Sequence, residues 1–146
     1  MEVGRDVAAY KWHNHIAILD PEREKQVLNE MVHQSKLHGL DTKWSTQFFN
    51  DQIIASRTVQ ENKFTQWKKN NTAPDSQIDL NHDIRPKIDK INNQLILLAK
   101  STNNFRSTPW CSAITEYEIG NLDLEFKFDD TESDVLELYA LRNVCQ

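Results

Sequence analysis

The sequence predicts an all-α protein, and three observations carry the prediction. Only 3 Gly and 4 Pro punctuate 146 residues. Few stretches alternate apolar and polar residues in the β-branched pattern of strands. Apolar residues recur instead at three- and four-residue spacing, most plainly Ile84, Ile88, Ile91, Leu95 and Leu98. A chain of this length has single-domain size and buries about two-thirds of its unfolded surface.

The elements follow from local signals. A first helix runs from the start to about Asn14, and "HIAILD" connects it to the next. Asp20-Pro21 supplies an N-cap with proline at the first helical position, opening a second helix that stops at Gly39. Asp41-Thr42 starts a long third helix through about Lys69, with Phe48, Phe49, Ile53, Ile54 and Val59 marking its buried side. "NNTAPDSQIDLN" reads as a loop. Asn81 then caps a fourth helix carrying the isoleucine and leucine stripe, and after "STNNFRSTPW" a less regular helical part ends in "DDTESDVLELYALRNVCQ".

Charge and composition narrow the function. A net charge of −5 argues against nucleic acid or an anionic membrane as the main partner. No apolar run reaches the roughly 18 residues that would span a bilayer. Met1-Glu2-Val3-Gly4-Arg5 has neither the basic start nor the apolar core of a signal peptide. Cys111 and Cys145 fit two readings: unrelated buried thiols, or a staple closing a C-terminal loop in an exported protein. No Cys/His metal spacing is present.

The stretch "VAAYKW" raises a sharper question, because Val7, Tyr10 and Lys11 share one helical face. Lys11 either snorkels from that face or serves a function there. Arg23 and Arg85 fall in first helical turns, where a cation opposes the helix dipole. Each fits a surface salt bridge, with Glu22 or Asp83 at hand, or an anion brought to the helix N-terminus. Gln52, Ser56 and Gln60 form a polar stripe at four-residue spacing, flanked by Ile53 and Val59. "HNH" at His13-Asn14-His15 lacks the spacing of a nuclease metal site, and His33 and His38 are five apart rather than four.

The segments "DVAAYKW", "DPEREKQVL", "FFNDQIIASRTVQ" and "LNHDIRPKIDKINNQLILLAK" together resemble the all-α chorismate mutases, specifically their secreted, disulfide-containing subclass. The resemblance covers roughly residues 2–111 and reaches loosely to Cys145. It implies a helical core over residues 1–100, with a helical extension over 101–146 tied by a Cys111–Cys145 disulfide. It also implies a periplasmic or secreted location, a homodimer, and chorismate as substrate, with no cofactor or metal. The implied reaction is a Claisen rearrangement to prephenate. Negative charge gathers on the breaking ether oxygen, so the site needs placed donors and a held conformer rather than a nucleophile.

By this resemblance, Lys11 and Gln60 meet the ether oxygen, and Arg23 and Arg85 bind carboxylates. Ser56 contacts a carboxylate, and Glu24 lies near the ring hydroxyl. The family places a further arginine eleven residues before the lysine, one position before Met1. Arg5 does not replace it, because six residues is about 240° around the helix. The pattern fits a trimmed chain or a natural variant with a weakened site, and the missing signal segment favours the first. A second function class is an exported helical binding or effector module on the same fold, with weak or no catalysis.

Overall fold

The computed structural model describes residues 2–72, 74, 78–126 and 140–145. Its helices are α1 (Glu2–His13), α2 (Pro21–Leu37), α3 (Thr42–Asn70), α4 (Arg85–Ser101), α5 (Asn103–Arg106) and α6 (Trp110–Phe126), with a π-helical turn at Leu80–Ile84 leading into α4. No strand occurs among the described residues, and no described helix is long and apolar enough to cross a membrane.

The predicted caps form. Asp20 Oδ1 accepts from the Arg23 N–H at 3.0 Å, with Pro21 opening α2. Asp41 Oδ1 accepts from the Trp44 N–H at 2.7 Å. Three helices end in one way, with a left-handed residue after the last turn and a six-to-one bond behind it. The residues are His15 (φ 53°), Gly39 (φ 80°) and Asn71 (φ 50°). The bonds are Ile16 N to Lys11 O, Leu40 N to Ser35 O, and Thr72 N to Trp67 O, at 2.9, 3.0 and 3.1 Å. Gly39 takes this conformation without Cβ strain, whereas His15 does so as a non-glycine residue.

Asn81 is not the cap of the fourth helical segment. Asp79 Oδ1 accepts from the N–H groups of both Asn81 and His82, at 2.8 and 2.7 Å. The His82 bond foremost holds the Asp79 carboxyl below its ordinary pKa. A carboxylate two residues upstream reaches both orphan donors, so the start of the turn moves there.

Helix α3 is the spine. The α2 hairpin packs along its first half, and α1 runs beside its second half. The larger core joins Met31 of α2, Trp44, Phe48 and Phe49 of α3, and Ile96 and Ala99 of α4. On the α1 side, Val7, Ala8 and Ala9 are buried. A Cβ on Gly4 would lie 3.2 Å from Val59 Cγ1, so glycine permits the close approach. Further along, Trp12 packs edge-on against Phe64 and Trp67, with ring centroids 5.0 and 5.6 Å apart. Gly4 meets Val59 and Trp12 meets Phe64, so the two helices advance in the same direction.

Two apolar expectations are corrected. Ile53 and Ile54 are only partly buried, while Ala55 and Val59 face the interior. Of the expected stripe, Ile84 in the π-helical turn is buried, and on α4 the buried residues are Ile96 and Ala99, whereas Ile91 and Leu98 are exposed. The apolar surface of α4 extends around more than one side. Periodicity detects such a stripe but does not say which edge meets the rest of the chain.

The Cys111–Cys145 disulfide forms, at a sequence separation of 34. A loop of that size corresponds to about 3 to 4 kcal/mol through the unfolded chain. The bond brings residues 140–145 onto α3. Trp44 Nε1 donates to the Asn143 carbonyl at 3.0 Å, and the Arg106 guanidinium stacks 3.6 Å from the Trp44 ring centroid. Burial lowers the Arg106 pKa. Asp51, with no exposure, accepts from Arg142 Nη2 at 2.8 Å and Asn143 Nδ2 at 2.6 Å. Gln47 adds a bond at 3.2 Å.

The burial asymmetry of this clasp sets an order of mutational effects. Replacing both Arg142 and Asn143 with alanine strands a buried carboxylate and destabilises by about 3 to 5 kcal/mol. Asp51→Ala leaves an arginine that can turn to water, and destabilises by about 1 to 3 kcal/mol. Urea unfolding of the two variants checks this order; a larger loss in Asp51→Ala would contradict it.

Candidate active site

The last turn of α1 delivers Lys11, and the reversal after it supplies the first partner. The left-handed His15 turns the chain back, and Lys11 Nζ donates to the Ile18 carbonyl at 2.6 Å. The ammonium is half-buried. Burial lowers its pKa, and the nearby charges of Asp20 and Glu24 partly oppose that effect. Lys11 is therefore a partly desolvated cation held beside two carboxylates, and it ion-pairs with neither.

Glu24, in the first turn of α2, pairs with Arg57 of α3: Nη1 lies 3.2 Å from Oε1 and 3.1 Å from Oε2. Arg57 follows Ser56 in the chain, so this ion pair ties the Lys11 neighbourhood to the α3 stripe. The stripe resolves into three different roles. Gln52 donates to the Ala140 carbonyl of the C-terminal clasp, Ser56 is exposed, and Gln60 is 6% exposed.

Gln60 Nε2 donates to the Ser56 carbonyl at 3.1 Å, and its contact with Ser56 Oγ, at 3.5 Å, is at the edge of hydrogen-bond range. Gln60 Oε1 is buried without a partner. That unmet atom is an acceptor; on the nitrogen, the second N–H reaches only the 3.5 Å contact, so the amide also has a donor to spare for a ligand.

The two expected carboxylate binders lie at the surface. Arg23 is exposed beside Glu24, and Arg85 is exposed at the start of α4, donating to Asn81 Oδ1. Asp6 and Lys87, 3.9 Å apart, hold the start of α4 against α1. Thus the structure links Lys11 to Glu24 by field and Ser56 to Gln60 by hydrogen bond. It leaves the two arginines outward, with no contact to Lys11 among the described residues. No group of three or more His, Cys, Asp or Glu that could hold a metal occurs among the described residues. What the arrangement offers is one desolvated cation, two exposed guanidiniums, a buried amide and a hydroxyl, which together suit a ligand with more than one negative group.

Sequence reasoning did not find Arg57. Its partner is 33 residues away, and the only available signal was a cation set next to the polar stripe.

An all-α fold that presents a partly desolvated lysine, a buried amide and surface arginines fits a class of helical proteins that recognise small anions. Comparison with known proteins narrows it. The family model for chorismate mutase type II matches residues 1–61. The secreted chorismate mutase of Mycobacterium tuberculosis is 32% identical over 114 residues, which cover 77% of this chain and 57% of that protein. The secreted chorismate mutase of Mycolicibacterium smegmatis is 29% identical over 147 residues, covering 100% of this chain and 80% of that one. The crystal structure of chorismate mutase from Burkholderia thailandensis superposes with a TM-score of 0.90 at 28% identity, covering 99% of this chain and 90% of that one. Over residues 1–61 the chain matches that family model, and along its length it has the fold of a chorismate mutase.

The burial of Lys11 separates stability from chemistry. Lys11→Met removes a partly desolvated charge, so the melting temperature stays level or rises. If Lys11 is a preorganised donor to a reacting group, the same variant loses about a hundredfold to a thousandfold in turnover. A thermal melt run beside a kinetic assay measures both. A cooperative melt lost with the lysine would show that its role is structural.

Proposed function

We propose that this protein is a chorismate mutase that acts outside the cytoplasm. It isomerises chorismate to prephenate without a cofactor, and its paired cysteines and the secreted relatives support export. The observation that carries the reading is the half-buried Lys11 ammonium, displaced from its ordinary pKa by burial and without an ion pair among the described residues. In a Claisen rearrangement no bond to the enzyme forms. The ether C–O bond breaks as a C–C bond forms, and the enzyme answers the charge that gathers on oxygen.

In this reading Lys11 donates to the ether oxygen from one side and Gln60 Nε2 from the other. Arg23 and Arg85 turn inward onto the two carboxylates, Ser56 adds a hydroxyl contact, and Glu24 accepts from the ring hydroxyl. Substrate charge pairs the buried ammonium, so the cost of its desolvation is met in the complex. Residues 1–100 form the catalytic core and 101–146 an extension, of which 140–145 brace α3 through the disulfide and the Asp51 clasp. The protein works as a homodimer, as the resemblance implies.

Loss of chorismate absorbance, followed with excess chelator and no nucleotide, tests the reading: rearrangement proceeds. Absence of turnover by a folded, oxidised chain would favour a binding or effector role.

Two pH profiles follow. The Lys11 ammonium acts protonated, so kcat/KM falls as pH rises through its pKa. Burial places that fall below the pH at which an exposed lysine would titrate. On the acid side an amide donates at any pH, so Gln60→Glu, which donates only when protonated, confines activity to acid. A Gln60→Glu enzyme equally active at alkaline pH would remove Gln60 from the ether oxygen.

A further inference from the structure

Among the described residues, Glu24 bonds one cation, Arg57, and its charge reaches a second, Lys11. A single Arg57 nitrogen, Nη1, straddles its carboxylate at 3.2 and 3.1 Å. Both side chains are 27% exposed, so the pair is screened less than one on open surface. Lys11 lies near enough to feel the Glu24 charge, yet its ammonium bonds the neutral Ile18 carbonyl. We propose that Arg57 is a positioning residue of the mutase site: by binding the Glu24 carboxylate it holds that group off Lys11, leaving the ammonium available to the ether oxygen. The proposal rests on the function read above.

A carboxylate this close to a flexible lysine closes onto it unless something stronger binds it first. Arg57 is that competitor, because its Nη1 already meets both carboxylate oxygens and a guanidinium gives up its hydration more readily than an ammonium does. A Lys11–Glu24 ion pair in the resting site would have to break before the ammonium met the developing charge, and the strength of that pair would be lost from catalysis. Nη1 engages the inner side of both oxygens, so the outer lone pairs stay open to a substrate hydroxyl.

Among the described residues, the charges that act on Lys11 come from two elements. Asp20 comes from the cap of α2, Glu24 from its first turn, and Arg57 from α3 through Glu24. On the α4 side, Lys87 is paired to Asp6, more than a turn back along α1, and Arg85 donates to Asn81.

The test titrates Lys11 in the full oxidised chain by the NMR shift of its side-chain ε-carbon, and records kcat/KM against pH beside it. Arg57→Leu releases Glu24 onto Lys11. The Lys11 midpoint rises by about one unit, the alkaline limb of kcat/KM follows, and kcat/KM at neutral pH falls about tenfold to a hundredfold. Arg57→Lys, which keeps the charge on a more strongly hydrated ammonium, gives a smaller rise and covers the case in which the leucine variant fails to fold. In a Glu24→Gln background the rise on replacing Arg57 disappears. An unmoved midpoint in Arg57→Leu and Arg57→Lys, or a rise that persists with Glu24→Gln, overturns the proposal. Because the NMR midpoint needs no turnover, failure of the mutase reading is seen separately as an inactive wild type.

Discussion

The structure depends on keeping one ammonium half out of water without neutralising it. Lys11 is on the inner side of α1, and that helix can approach α3 only because its contact residues are small: Gly4 against Val59, with Ala8 and Ala9 buried behind. The turn after α1 then satisfies the ammonium with a carbonyl instead of a carboxylate, through the left-handed His15 and the returning Ile18. A carbonyl meets the hydrogen-bonding need and leaves the charge uncancelled. Glu24, which could cancel it, is taken by Arg57.

The far end of α3 explains how so narrow a helical assembly holds that arrangement still. Trp44 stacks on Phe48, with ring centroids 5.0 Å apart, and carries Arg106 on its other side. Asp51 is closed over by Arg142 and Asn143, and the disulfide pins the same segment to α6. Gln52 belongs to this clasp and Gln60 to the site, two turns apart on one helix. Apolar burial and covalent closure therefore stabilise one half of α3, while the other half carries groups that cost stability: a desolvated lysine and an unmet amide oxygen.

Much of this was legible in the chain. Asp20-Pro21, Asp41 and Gly39 mark helix ends by local chemistry and appear where expected, because caps need only residues a few positions apart. Lys11 stood out as a charge on an apolar face, and four spaced motifs carried the family resemblance. What stayed hidden depends on contacts distant in sequence. Glu24 and Arg57 are 33 apart, and Asp51 and Arg142 are 91 apart. A buried carboxylate inside "FFNDQ" gives no local sign of its partners. Asn81 was the cap expected from the sequence, and the geometry shows Asp79 reaching two backbone donors instead. The α4 stripe was real, but its period could not say that Ile91 and Leu98 lie outside.

The most direct measurement of the central claim is a crystal structure of the oxidised chain with an oxabicyclic dicarboxylate that mimics the chair-like transition state. The account predicts the ether oxygen between Lys11 Nζ and Gln60 Nε2, each about 2.7 to 3.1 Å away, with Glu24 still on Arg57 and Arg23 and Arg85 turned in to the carboxylates. An analogue seated elsewhere, or one whose ether oxygen faces solvent while Lys11 pairs with Glu24, would contradict it.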